Sequence, residues 1–265
     1  MLYFVMLKKL KSLPSNKQKK LQKDFSDKVF KTYFTDKLGN PYPDSLIGNF
    51  VDFYSLMKAV SMLPFGIKNK TILSICSGDG PEGEYLYHKG AKVTVTDISS
   101  EAIKAAKRRC PSLKGVVADS ENLLFKDNSF DLVLVRHGLH HLAHPYKGIE
   151  EMYRIGKRGF VFIEAQRNFI TKILIKLGLA EEYEASGNFV YRFTRGEVKE
   201  FMKQKRIKSY KISTFWVYHF EFLTQKVYPK LDNMLAFTVF KAFFFFFNYI
   251  FGYLGNSMVV VALKG

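Results

Sequence analysis

A chain of 265 residues, 47% of them hydrophobic, can bury one sizeable α/β core and is short for two full domains. Its two cysteines, Cys76 and Cys110, exclude a disulfide framework and a C-x-x-C metal or redox motif, which predicts a reducing, cytoplasmic setting. The net charge of +17 draws heavily on one tail, where Lys8, Lys9, Lys11, Lys17, Lys19, Lys20 and Lys23 crowd together; with no N-P-P-Y-like motif for a flipped base, solvent or an anionic membrane is the expected neighbour, not nucleic acid.

The opening "MLYFVMLKKLKSLP" places its apolar residues ahead of its lysines and lacks a small-residue cleavage site, so it reads as an amphipathic start and not as a secretory signal. Residues 1–70 read as a basic, helical N-terminal extension, interrupted at "LGNPYPDS", where Gly39, Asn40, Pro41 and Pro43 mark a turn. From Thr71 the rhythm changes, and residues 71–265 read as one domain. The runs "TILSIC", "KVTVTD", "KGVVAD", "FDLVLV" and "GFVFIE" lack polar alternation, as strands covered by helices on both faces should. Between them "PEGEYLYHKG", "SSEAIKAAKRRC" and "YKGIEEMYRIGKR" have helical spacing, with Ser99 or Ser100 as a cap for the second. This alternation predicts a Rossmann-like, mostly parallel sheet with helices on both faces. Residues 165–192 form an insertion expected to act as a substrate lid. The helix "TRGEVKEFMKQK" follows, with Thr194 as its cap and Glu197 three residues on. The strands "IKSYKISTFWVYH" and "NSMVVVALKG" flank a Phe-rich helical insertion over 220–256.

The stretch "SICSGDGPEG" contains G-x-G-x-x-G in Gly78, Gly80 and Gly83. Backbone can approach a ligand closely there, and a helix N-terminus just beyond adds partial positive charge. Asp97, ending the second strand, suits ribose hydroxyls. A dinucleotide and S-adenosylmethionine share all of these needs, so both stay open on this evidence.

The quoted segments "ILSICSGDGPEG", "VTVTDIS", "VVADSENLLFKDNSFDLVLVRHGLHHLAHP" and "GFVFIEA" in this order resemble the class I S-adenosylmethionine-dependent methyltransferases of the small-molecule group, over roughly residues 71–166. The resemblance implies a seven-stranded sheet closed by an antiparallel β-hairpin edge, with S-adenosylmethionine as cofactor. It implies that Ser77, Gly78 and Gly80 lie against the methionine part, that Asp97 holds the ribose and that Ile98 packs on adenine. Asp119, with Ser120 beside it, would read the adenine amino group, and Arg136 would sit near the methionine end. The family usually has an acid at the position of Ser74 and glycine at that of Cys76. Either the strand has drifted, or Glu82 or Asp79 balances the cofactor's ammonium instead.

The histidines of "RHGLHHLAHP" fall in the loop that faces the methyl in the resembling family. His140 is the first choice as general base and His141 the second; the alternative is that they cap the next helix or bond within the loop. A zinc site is not expected, because no Cys is near and Pro145 breaks the segment. Glu164, at a strand end, could orient a histidine or stabilise a developing cation. Tyr191 and Arg192 are expected to overhang the pocket, where Arg192 would suit a carboxylate or phosphate, unless it forms a surface salt bridge.

"MLAFTVFKAFFFFFNYIFGYLG" is long enough to cross a bilayer and carries only Lys241 as a charge, yet the closing strand must return to the sheet. Phe237, Phe240, Phe244, Phe247 and Phe251 form one stripe, widened by Phe243, Phe246 and Ile250. Core packing, a homodimer interface and a peripheral membrane contact are all compatible with it. The resulting expectation is methyl transfer, at oxygen, to a small hydrophobic or lipid-linked acceptor such as a glycolipid or natural-product intermediate. An NAD(P)-dependent oxidoreductase and a non-catalytic, membrane-associated adenosyl-binding protein are the alternatives.

Overall fold

The computed structural model describes residues 15–36, 45–178, 180, 182–183, 189–217 and 226–264. Lys8, Lys9, Lys11 and the turn at Gly39–Pro43 lie outside them. Seven strands form one sheet: β1 (Thr71–Ile75), β2 (Lys92–Asp97), β3 (Lys114–Val117), β4 (Leu132–Arg136), β5 (Gly159–Ala165), β6 (Ser209–Phe215) and β7 (Ser257–Leu263). Their order is β3-β2-β1-β4-β5-β7-β6. The first five run parallel, and β7 enters antiparallel between β5 and β6. The chain reverses its winding between β1 and β4, which opens a crevice at the carboxyl ends of the strands.

Helices cover both faces: α1 (Ser15–Asp36), α2 (Leu46–Met62), α3 (Pro81–His88), α4 (Ser100–Arg109), α5 (Pro145–Ile155), α6 (Phe169–Lys176), α7 (Arg195–Gln204) and α8 (Met234–Phe251). The two-residue period of β5 divides the core: Val161 and Ile163 pack with Ile47, Leu56, Leu86 and Phe244, while Phe160 and Phe162 pack with Ile149, Met152, Val198 and Met202. Ser99 caps α4 through the Ala102 amide, and Thr194 and Glu197 form a reciprocal capping box on α7.

The run "KGVVAD" differs from a doubly covered strand. It forms the outer strand β3, where Val116 and Val117 are exposed, because nothing pairs beyond it among the described residues. Helix α2 is integral to the fold, for Ile47, Val51, Leu56 and Ala59 are buried in the core.

Candidate active site

The turn after β1 is made by residues that reach conformations most side chains avoid. Gly78 and Gly80 have φ of 51° and 76°, and Gly83 brings α3 onto β2 so closely that a Cβ there would lie 2.6 Å from Val95. Cys76 also holds φ of 50°, the left-handed conformation that explains why the resembling family has glycine at this position. Gly138 accommodates the extra side chain: a Cβ on it would sit 2.4 Å from Cys76 Cβ and 2.9 Å from Val135. Gly138→Ala is therefore expected to cost about 1–3 kcal/mol by overpacking. In a Cys76→Gly background that cost should shrink, and denaturant unfolding of the four proteins in the cycle measures the difference.

Asp97 is buried at the end of β2. Its carboxylate accepts from the Gly78 amide at 3.0 Å and the Ser99 amide at 2.9 Å, tying the glycine turn to the start of α4. Burial pushes its carboxyl above the ordinary aspartate value despite these bonds. Asp119, beyond β3, accepts from the Glu121 amide at 2.9 Å and from Lys19 at 2.6 Å. Buried Ser120 accepts from the Cys76 thiol at 3.2 Å, and burial pushes that thiol well above its usual range. Gly78, Asp97, Ile98, Asp119 and Ser120 line one largely apolar cavity of about 200 Å3, with His141 in its wall.

Helix α1 roofs this cavity with Phe25, Val29 and Phe30, the last so close that a Cβ on Gly78 would meet its ring at 3.1 Å. Ser99 Oγ donates to Asp27 at 2.5 Å, pinning α1 to the cap of α4, and Lys19 also pairs with Glu121 at 3.0 Å. Lys19 and Lys23 thus direct their charge to carboxylates of this chain. The roof went unread in the sequence, although Leu21, Phe25 and Val29 repeat at helical spacing among the lysines.

A second polar group lies between the ends of β1 and β4. Ser74, at the position where the family has an acid, donates to Glu82 at 3.0 Å, and Glu82 is buried on the first turn of α3. Asp79, the other candidate, is paired with Arg109. Burial drives Glu82 up to about 7, while the charge of Arg136 pulls the other way. Arg136 donates to the carboxylate of Asp52 on α2 at 2.5 Å, and its buried Nε has no hydrogen-bond partner among the described residues. An unpaired, buried guanidinium N–H is costly unless something accepts from it.

At the end of β5, Glu164 is fully buried and its two oxygens are separately engaged. One accepts from the Leu139 amide at 2.6 Å and the other lies 2.8 Å from His140 Nδ1. Burial alone would raise its carboxyl, but the charge and hydrogen bond of His140, with His137 and the Leu139 amide, outweigh it and hold Glu164 below the ordinary glutamate value. An ionised Glu164 can only accept, so His140 Nδ1 carries a proton, and in the neutral tautomer that this bond selects the basic nitrogen is Nε2. The rings of His140 and His141 are 4.1 Å apart between centroids, with His141 the one at the cavity wall. His144 stands before α5 without a side-chain cap bond.

Tyr191 and Arg192 are not brought to this cavity. They line a separate one of about 550 Å3 with Arg167, Lys172 and Lys176, and Tyr191 packs edge-on against Phe193, which follows the end of β5 by a bridge to Gln166. Among the described residues no group of three or more His, Cys, Asp or Glu is placed to hold a metal ion.

Residues 73–163 match the family described as "Methyltransferase domain". The demethylmenaquinone methyltransferase of Paenarthrobacter aurescens (strain TC1) is 32% identical over 126 residues, which are 44% of this chain and 50% of that protein. A ubiquinone/menaquinone biosynthesis C-methyltransferase of Rickettsia felis is 29% identical over 153 residues, covering 48% of this chain and 60% of that protein. The chain therefore spans about half the length of these relatives. In fold it is similar to magnesium protoporphyrin IX methyltransferase from Synechocystis PCC 6803 with bound S-adenosylhomocysteine, at a TM-score of 0.58 and 12% identity over 92% of this chain and 98% of that one. A methyltransferase from Aquifex aeolicus gives a TM-score of 0.51 at 15% identity, over 89% of this chain and 97% of that one. Residues 73–163 thus carry a methyltransferase domain, and the chain has the sheet and antiparallel edge that the resemblance to class I S-adenosylmethionine-dependent methyltransferases implied.

Proposed function

We propose that this chain transfers a methyl group from S-adenosylmethionine to a small hydrophobic acceptor carrying an ionisable hydroxyl. The observation that carries this reading is the placement of two carboxylates, Asp97 and Asp119, along one apolar cavity with Ile98 in its lining. The residues fit the cofactor: Asp97 has lone pairs left for ribose hydroxyls, Asp119 and Ser120 suit the adenine amino end, and Ile98 suits the ring. Ser77, Gly78 and Gly80 lie against the methionine part. The orphaned Arg136 Nε suits its carboxylate, and Glu82, presented by Ser74, replaces the missing strand acid toward its ammonium.

When bound, S-adenosylmethionine supplies a strongly electrophilic methyl, so the protein has to align, exclude water and remove a proton. Helix α1 excludes water from above. His140, held by Glu164, takes the hydroxyl proton on Nε2 while His141 packs beside the acceptor. The acceptor's electron pair would form the new bond to the methyl as the S–CH3 bond breaks and its electron pair stays on sulfur, which would leave S-adenosylhomocysteine. Oxygen is the direct target, and the names of the relatives favour a quinol-type ring over a glycolipid, with a ring carbon activated by the same deprotonation. The proposed setting of the reaction is the cytoplasm.

Incubation of the purified protein with methyl-labelled S-adenosylmethionine and demethylmenaquinol, followed by NMR of the product, tests the reading and distinguishes carbon from oxygen. Label in the lipid fraction is expected. Cofactor binding with no transfer to this acceptor or to any lipid extract would favour a non-catalytic adenosyl-binding protein.

Glu82 adds a pH signature. Its proton is held more tightly in the fold than in the unfolded chain, so its contribution to stability is present below the ordinary glutamate value and lost as pH rises through about 7. An ammonium ligand prefers the ionised carboxylate, so S-adenosylhomocysteine affinity should rise with pH up to about 7 and then level. Titration calorimetry should show that slope in the parent protein and its loss in Glu82→Gln.

A further inference from the structure

Helix α8 has the length and apolarity of a membrane span, with mean hydropathy of 1.7 over Met234–Leu254, yet only 6% of it is buried. Its inner side is accounted for: Phe237, Phe240 and Phe244 meet Phe50 of α2 in edge-on contacts, and Asn248 bonds the backbone of Trp216. Its outer side is a row of exposed residues, Leu235, Val239, Phe243, Phe246, Tyr249 and Ile250, with Leu235 at 76% and Tyr249 at 90% exposure. Monomeric soluble proteins seldom leave so large a contiguous apolar face in water.

The helix does not cross a bilayer, because both of its ends are tied to one domain. Asp232, just before it, accepts from the Leu46 amide at 2.8 Å, and β7 begins just after the short turn Gly252–Leu254 and pairs with β5 and β6. The start of α6 joins the far end through Asn168, which donates to the carbonyls of Leu254 and Gly255 at 2.8 Å. Helix α6, with exposed Phe169 and Ile173, and Leu177 just after it extend the apolar surface.

Charge selects the occupant. Helices α6 and α8 contain no Asp or Glu, while Lys172 and Lys176 are exposed on α6 and Lys230 is exposed ahead of α8. Among the described residues the nearby carboxylates are Asp232, which accepts from the Leu46 amide, and Glu182, which lines a cavity with Arg167, Lys172 and Lys176 and is outnumbered there by these cations. A second copy would bring the same lysines and another +17 of net charge against this face, whereas anionic lipid headgroups complement both the lysines and the apolar row. Tyr249 and Tyr253 at one end suit the headgroup boundary.

We propose that the outer face of α8, extended by α6, lies flat in the surface of an anionic bilayer. Ile175 and Lys176 of α6 also line the 550 Å3 cavity with Tyr191 and Arg192, so that cavity borders the proposed membrane-facing side.

The full chain is mixed with vesicles of phosphatidylcholine alone or with added phosphatidylglycerol and assayed by flotation, with sedimentation velocity in the absence of lipid. The sole tryptophan, Trp216, donates to the Phe251 carbonyl at 3.1 Å and reports insertion through its emission and quenching by brominated lipid. Binding to the anionic vesicles is expected, weakened about tenfold or more by Phe243→Ser/Phe246→Ser and separately by Lys172→Glu/Lys230→Glu, with little change in melting temperature because all four side chains are exposed. Absence of flotation with the anionic vesicles, binding unchanged in the phenylalanine variant, or a dimer in solution that this variant dissociates would each overturn the proposal.

Discussion

Replacing Asp97 with asparagine is expected to abolish measurable S-adenosylhomocysteine binding while leaving the fold intact. Both carboxylate oxygens already accept backbone amides, from Gly78 and Ser99, so the side chain fixes the glycine turn as well as facing the cavity. Asparagine retains one acceptor and turns an N–H2 toward an N–H, which loosens the turn, and it offers one oxygen fewer to the ribose. Losing two charge-assisted hydrogen bonds corresponds to about 3 kcal/mol or more, a loss of over about a hundredfold in affinity. The fold should survive because burial already disfavours the charge of this carboxylate. Calorimetry reads the affinity and circular dichroism the fold; full affinity in a folded Asp97→Asn protein would remove Asp97 from the cofactor site.

Turnover should respond in the opposite pattern at the far end of the site. Glu164→Gln keeps the volume but has one acceptor oxygen where two are used, by the Leu139 amide and by His140 Nδ1, so the imidazole loses its fixed tautomer and orientation. His140→Ala removes the base itself. Rate losses of about 10²- to 10⁴-fold are expected for His140→Ala, with a smaller loss for Glu164→Gln, while S-adenosylhomocysteine binding stays near that of the parent. Separate kcat and KM measurements decide between a chemical and a binding role. Because His141 stands at the cavity wall, His141→Ala is the comparison that matters; a larger rate loss there than in His140→Ala would transfer the base to His141.

The strands were legible because burial on both faces leaves apolar runs of a length that few other elements share, as in "GFVFIE" for β5. Caps at Ser99 and Thr194 were legible because their hydrogen bonds are local, spanning three residues. The cavity lining could be read in part from Gly78, Asp97 and Asp119, since each stands at or just beyond a strand end in a recognised order, whereas Gly80 packs against Ala106 and Leu113. Its roof could not: Phe30 over Gly78 and Lys19 against Asp119 are contacts between distant parts of the chain, and a lysine-rich helix looks solvated until its partner is known. The phenylalanine stripe was legible as a stripe, but which side meets the core was not. Phe244 is buried and Phe243 exposed, a division made by Phe50 and Tyr54 of α2 and not by α8 itself. Tyr191 and Arg192 were expected over the pocket because the insertion follows β5, yet the chain carries them to a neighbouring cavity.

The central claim is that the glycine turn and the two carboxylates hold an adenosyl methyl donor. Titration calorimetry of the purified protein with S-adenosylhomocysteine and, in parallel, NADH tests it most directly, repeated on Asp119→Ala. Binding of S-adenosylhomocysteine that is lost in Asp119→Ala, with no heat from NADH, is the predicted result. Binding of NADH alone would contradict it and return the turn to the dinucleotide reading.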